Sequence, residues 1–273
     1  MALLRLTGRT AVITGAASGI GRAIASSLAR RGAHLALADV NDTGLTETAR
    51  AIAAPGLRIS LHHLDVASRD AVAAFPQAVL QEHPGVDILV NNAGVALGGT
   101  FEQVSEVDFE WLFEINFWGV VRMTRAFLPL LHASDDAHLV NLSSIFGIIA
   151  PPGQAAYSAA KFAVRGFSQA LRHELEGTTI GVSVVHPGGV ATSIAKNARP
   201  PAGVTREQLE RNLKSFSKSL RMPPEEAGEI IVKGIERRSP RILVGSDAKL
   251  AAAIERIAPV GHGRLIRHLK PKS

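Results

Sequence analysis

The chain has 273 residues, 46% hydrophobic and 20% charged, and no cysteine. That composition suits a buried globular core and excludes disulfides, thiolate metal sites and cysteine nucleophiles. The net charge is +6, but ten basic and only three acidic residues lie from Lys233 onward, which leaves the rest of the chain near neutrality and argues against a nucleic-acid-binding body. The N-terminus lacks a signal-peptide layout, because its short apolar run is broken by Arg5. No uninterrupted apolar stretch reaches the about 18 residues of a membrane span. A cytoplasmic protein without a metal site is therefore expected.

The first β-branched, apolar run is Thr10–Thr14, and it ends in the glycine-rich turn Gly15-Ala16-Ala17-Ser18-Gly19-Ile20-Gly21. A helix is predicted over Gly19–Arg31, with apolar Ile20, Ala23, Ile24 and Leu28. Glycines between a strand and a helix allow tight turning and close approach of a pyrophosphate, and the helix N-terminus adds free N–H groups and a favourable dipole. The second run, His34–Val40, carries Asp39 near its end. A carboxylate there accepts hydrogen bonds from the adenosine ribose hydroxyls and repels a 2′-phosphate. Asp39 therefore argues for NAD over NADP; Val40 and Ser18 offer a phosphate no cation, and Arg22 is the one nearby cation that weakens the argument.

Further strand-like runs follow at Ile59–Leu64, Asp87–Val90, His138–Leu142, Gly181–His186 and Ile242–Val244. Helix-length segments lie near 44–54, 68–82, 105–131, 155–176 and 224–237. Apolar strands alternating with helices predict an α/β fold: one domain, three layers, with a Rossmann-type doubly wound parallel sheet over 1–245. Ligands of such sheets bind outside the carboxyl ends of the strands. Asp65 and Val66 end the third strand, where they could meet an adenine ring; Asn91-Asn92-Ala93-Gly94 ends the fourth, where small residues let the chain pass close to the nicotinamide half.

The fifth strand delivers Ser144, thirteen positions before Tyr157, the only tyrosine in the chain. Tyr157 and Lys161 are four residues apart, so on a helix their Cβ atoms lie roughly 5–6 Å apart on one face. A nearby ammonium favours the phenolate and brings a tyrosine toward a useful general acid/base. The Ser144 hydroxyl beside the phenol could hydrogen-bond a substrate carbonyl. Asn116 lies mid-helix in an apolar segment and needs partners if buried. Ser143 is a weaker candidate than Ser144, because side chains alternate along a strand. His186, before the Pro187-Gly188 turn, could touch substrate but reads rather as strand-end packing.

These motifs together make the chain resemble the short-chain dehydrogenase/reductase family. The matching pieces are Thr-Gly-x-x-x-Gly-Ile-Gly at 14–21, Asp39, Asp65, Asn-Asn-Ala-Gly at 91–94, Asn116, Ser144, Tyr-x-x-x-Lys at 157–161 and Pro-Gly-x-Val-x-Thr at 187–192, over about residues 7–195. The resemblance implies that Tyr157 is the acid/base, that Lys161 lowers its pKa and holds the nicotinamide ribose, and that Ser144 polarises the substrate oxygen. It implies that Asn116 anchors a proton-relay water. It also implies cofactor contacts at Gly15, Ser18, Gly19, Ile20, Gly21, Asp39, Asp65, Val66, Asn92, Ala93, Gly94, Tyr157, Lys161, Pro187, Gly188, Val190 and Thr192, the last two at the carboxamide.

The implied activity is hydride transfer between NAD(H) and a secondary alcohol or ketone. The segments 95–99 and 145–152 have no fixed cation and the second is strongly apolar, so a neutral, hydrophobic small-molecule substrate is expected. A mobile lid is expected near 193–222, with Lys196, Arg199, Arg206, Arg211, Lys214 and Lys218 facing solvent or a charged substrate tail. Helices 105–131 and 155–176 are apolar on more than one face, and the resemblance points to a homo-oligomer, dimer or tetramer, built on them. Residues 246–273 form a basic extension, either a solvated tail or a weak membrane-surface contact. The rival reading is a catalytically idle NAD-binding redox sensor or scaffold, which would not need Asn116, Ser144, Tyr157 and Lys161 together.

Overall fold

The computed structural model describes residues 3–195, 197–217, 220–261 and 263. Each apolar run becomes a strand: β1 (Thr10–Thr14), β2 (His34–Asp39), β3 (Ile59–His63), β4 (Ile88–Asn91), β5 (Ala137–Leu142), β6 (Ile180–Pro187) and β7 (Arg241–Val244). They form one parallel sheet in the order β3-β2-β1-β4-β5-β6-β7. The chain winds outward from β1 to β3, then returns to β4 and winds the other way. The crevice at this reversal, above β1 and β4, is where ligands of doubly wound sheets bind.

The helices are α1 (Gly19–Ala29), α2 (Asp42–Ile52), α3 (Arg69–Glu82), α4 (Glu106–Phe113), α5 (Gly119–Ala133), α6 (Ala155–Glu174), α7 (Arg206–Ser217), α8 (Pro224–Glu236) and α9 (Ser246–Ile257). Alternate strand residues feed two cores, one on each sheet face. Ala11, Ile13, Leu35, Leu37 and Val140 pack with Ile24 and Leu28 of α1 and Ile231 and Ile235 of α8. Val12, Ala36, Leu89 and Leu139 pack with Phe75 of α3 and Met123 and Phe127 of α5. Each such large side chain contributes about 1.5–3 kcal/mol by leaving water. The strands read as continuous apolar runs because both faces are covered.

Two elements differ from the sequence expectation. The helix predicted over 105–131 is interrupted by a π turn at Glu114–Trp118. A π turn spends one extra residue, which resets the helix phase and turns fully buried Asn116 toward the end of β4. The first twelve residues of the predicted extension form α9, whose Ala251 and Ala252 pack on Ile148 and Ile149. The tail cations Arg264, Arg267, Lys270 and Lys272 and the apolar 265–269 stretch lie outside the described residues, as do Lys196 and Lys218 of the expected lid.

Candidate active site

The glycine loop closes against β4. Gly15 and Gly19 have φ of +67° and +53°, which glycine adopts without a Cβ penalty. A Cβ on Gly21 would sit 2.0 Å from the Gly15 carbonyl oxygen and 2.5 Å from Asn92 Nδ2. The loop therefore has no room for side chains on its inner side. Asn92 braces it, donating from Nδ2 to the carbonyls of Thr14 (2.9 Å) and Gly15 (3.0 Å). Thr14 returns the contact: its buried Oγ1 accepts from the backbone N–H of Asn92 (3.1 Å) and Ala93 (3.0 Å). The sequence places Thr14 in the strand and at the head of the glycine motif but does not reveal this clamp, whose partners lie 78 and 79 residues away. Ser18 precedes α1 without a side-chain cap bond, and the first turn of α1 holds no acid. The uncapped N–H groups there suit an anion such as a pyrophosphate.

Asp39 ends β2 beside this loop. Its two oxygens accept from the Ala17 and Asn41 N–H groups, each at 3.0 Å. It thus braces the loop as well as presenting a carboxylate at its rim. Arg22 is committed elsewhere, donating to Thr48 Oγ1 (2.9 Å), the Ala17 carbonyl (2.6 Å) and Glu47 (2.9 Å). Asp65 is exposed, and its Oδ1 accepts from Ala67 N–H at 2.9 Å. Val66 is buried against Gly119, where a Cβ would come within 2.8 Å of Val66 Cγ2. Ile20 lies partly buried on the first core. From the far side, Thr192 approaches Gly19: a Cβ there would lie 3.1 Å from Thr192 Cγ2.

Above β4 and β5 the polar groups converge. Asn116 Oδ1 accepts from Val95 N–H (2.8 Å) and its Nδ2 donates to the Val95 carbonyl (2.9 Å), a two-way clasp on the loop after β4. Gly94 lies between Asn116 and Lys161, with its absent Cβ 3.1 Å from Asn116 Oδ1 and 3.5 Å from Lys161 Nζ. Lys161 is buried and donates to the Leu142 carbonyl at 3.1 Å. Among the described residues no carboxylate offsets its burial, which pushes the ammonium down to about 8. Its Nζ stands 5.7 Å from the centre of the Tyr157 ring. Burial pushes the Tyr157 phenol above its ordinary value, and the Ser144 hydroxyl pulls it back.

Ser144 is held at both ends. Its Oγ accepts from Phe146 N–H at 3.1 Å, and its carbonyl accepts from His186 Nδ1 at 2.9 Å. A carbonyl can only accept, so the proton is on Nδ1 of His186. Burial keeps this imidazole neutral by lowering its pKa to about 4. His186 is therefore more than strand-end packing: it pins the backbone that carries Ser144. Ser143 points away and donates to the Lys161 carbonyl at 2.8 Å, tying β5 to α6.

The apolar segment after β5 divides. Phe146 meets Tyr157 edge-on with centroids 6.2 Å apart, whereas Ile148 and Ile149 are spent on α9. In the expected lid, Arg199 is anchored to α4. It donates to Asp108 at 2.7 Å and lies 3.5 Å over the Trp111 ring.

A glycine-lined crevice beside a cluster of buried Ser144 and Lys161 and partly buried Tyr157 defines a nucleotide-dependent oxidoreductase class, and comparison with known proteins agrees. Residues 9–203 match the family model described as short chain dehydrogenase. The chain belongs to the short-chain dehydrogenase/reductase family of oxidoreductases. It is 44% identical over 262 residues to SadH of Mycobacterium tuberculosis, covering 95% of this chain and 94% of that protein. It is 36% identical over 204 residues to the 1-deoxy-11-beta-hydroxypentalenate dehydrogenase of Streptomyces exfoliatus, covering 73% of this chain and 74% of the relative. A short-chain dehydrogenase/reductase of Burkholderia phymatum, solved in complex with NAD, superposes with a TM-score of 0.86 at 31% identity, with 99% of each chain covered.

Proposed function

We propose that this chain transfers hydride between a nicotinamide dinucleotide, NAD in preference to NADP, and a neutral, hydrophobic secondary alcohol or its ketone. The observation that carries the reading is the convergence of Ser144, Tyr157, Lys161 and Asn116 above β4 and β5, beside a glycine loop that no side chain could fill. A nicotinamide dinucleotide bound along Gly15–Gly21, Asp39, Asn92–Gly94 and Pro187–Thr192 would supply hydride acceptance and donation through its nicotinamide ring.

The chain's own residues manage the proton. Ser144, fixed by Phe146 and His186, orients the substrate oxygen. Tyr157 donates a proton to that oxygen in ketone reduction and accepts one in alcohol oxidation. Lys161, held at Leu142 with its Nζ 5.7 Å from the Tyr157 ring centre, is the cation that would offset the burial that raises the phenol, and its own lowered pKa lets it exchange protons near neutrality. Asn116 keeps the Val95 loop in place beside Lys161. Asp39 favours NAD because a 2′-phosphate would meet its carboxylate, while Arg22 is engaged by Thr48, Ala17 and Glu47.

Oligomerisation through α5 and α6 is supported by Trp118, just before α5, and Phe162, within α6, which remain 44% and 38% exposed. The secondary-alcohol class also draws support from the relative named as a hydroxypentalenate dehydrogenase. The deciding experiment uses Tyr157→Phe with a panel of alcohols and ketones. NADH binding is expected to be retained and turnover to fall by about 10²–10⁴-fold. Unimpaired turnover would reject Tyr157 as the acid/base, and absence of turnover in the unmodified chain would favour the idle dinucleotide-binding reading.

A further inference from the structure

The strand-end turn Pro187–Thr192 is held by residues far along the chain. Gly188 N–H donates to the Val244 carbonyl at 2.9 Å. The Gly189 carbonyl accepts from the N–H groups of Arg221 (2.9 Å) and Met222 (3.0 Å), where the lid segment ends. The Gly189 N–H donates to Asp247 Oδ2 at 2.6 Å. Asp247 stands in the first turn of α9, and its Oδ1 accepts from Ala248 N–H at 2.9 Å.

The carboxylate is exposed on one side and lies against two glycines on the other. A Cβ on Gly188 would lie 2.1 Å from Asp247 Oδ1 and 2.3 Å from Oδ2. A Cβ on Gly245, whose φ is +101°, would lie 2.4 Å from Oδ1. The Asp247 carboxylate thus fills the space that side chains at 188 and 245 would take. A single residue, Gly189, joins three elements: α9 through its N–H, the lid end through its carbonyl, and β6 through the chain. A fixed carboxylate on a backbone N–H is a charge-assisted bond, stronger than a neutral one.

From this we infer that Asp247 is a positioning residue for the dinucleotide site. It acts through Gly189 to hold the turn that brings Thr192 against Gly19. Asp247 lies beyond residues 9–203, the part of the chain the family model matches. The inference rests on the proposed cofactor role of Pro187–Thr192, and its physical core is the coupling between Asp247 and Gly188.

The test uses the full chain and the variants Asp247→Ala, Asp247→Asn, Gly188→Ala and Gly188→Ala/Asp247→Ala. NADH affinity is read by its fluorescence, and backbone order at 187–192 by amide hydrogen exchange without nucleotide. Asp247→Ala is expected to speed exchange at Gly189 and to weaken NADH binding about tenfold, the effect of losing one charge-assisted hydrogen bond. Asp247→Asn, which keeps a carbonyl acceptor of the same size, is expected to restore part of the affinity and guards against a folding defect. Gly188→Ala alone is expected to be the most damaging, because its methyl meets the carboxylate. The double variant should bind NADH no worse than Asp247→Ala, because the clash is gone. Unchanged exchange at Gly189 in Asp247→Ala, or strictly additive losses in the double variant, would overturn the inference. A wild-type chain that fails to bind NADH would instead overturn the dinucleotide reading and leave the exchange experiment to decide the coupling.

Discussion

Replacing Lys161 by methionine tests the electrostatics of the site directly. Lys161 is 4% exposed, among the described residues its ammonium meets a backbone acceptor and no carboxylate, and burial lowers its pKa from 10.5 to about 8. At about 1.4 kcal/mol per pKa unit, keeping it charged at pH 7 costs about 3 kcal/mol of stability. Methionine removes that cost but leaves the Leu142 carbonyl without its donor, a loss of about 1–2 kcal/mol. Lys161→Met should therefore be as stable as the wild type at pH 7 or more stable by about 1–2 kcal/mol, while turnover is lost. The pH dependence is sharper. Below about pH 8 both folded and unfolded chains hold the proton and the penalty is full. Between about 8 and 10.5 the unfolded chain still holds a proton that the folded chain has released, so stability rises with pH. From pH 7 to 9.5 this single group should add about 2 kcal/mol to the wild type and nothing to the variant. Urea unfolding followed by the fluorescence of Trp111 and Trp118 measures both curves. Parallel pH profiles for the two proteins would refute the reasoning.

Three other outcomes are expected. Asn116→Ala should lower stability by about 2 kcal/mol, because the N–H and carbonyl of Val95 lose their partners together; unchanged urea midpoints would show that the clasp contributes nothing. Gly21→Ala should abolish NADH binding, since its methyl would collide with the Gly15 carbonyl and Asn92; retained affinity in a fluorescence titration would count against the loop as the pyrophosphate cradle. Asp39→Ser should raise kcat/KM with NADP relative to NAD by about tenfold or more, by removing the charge that faces a 2′-phosphate. An unaltered cofactor ratio would remove Asp39 from the selectivity argument.

Most of the sheet was legible because its signals are local. A β-branched run followed by glycines must turn, and an apolar run covered on both faces becomes a parallel strand. The same locality exposed Ser144, Tyr157 and Lys161, whose spacing on β5 and α6 is a property of regular geometry. The break at Glu114–Trp118 was not legible, since Trp, Phe, Asn and Ile there read as a continuous apolar helix. The cost of burying Asn116 is met by Val95, 21 residues earlier, and no periodicity records such a partner.

By itself the sequence determined the α/β architecture, the positions of the strand-end motifs and the identity of the polar cluster, because these follow from side-chain chemistry and short-range geometry. Tertiary structure alone decided what each polar group is tied to. His186 holds Ser144 across 42 residues, and Asp247 holds Gly189 across 58. It also decided that Arg22 is engaged by α2, that Arg199 clamps α4, and that α9 takes up Ile148 and Ile149. The physical reason is that hydrogen bonds and burial depend on distance in space, and folding brings together groups whose separation along the chain carries no pattern.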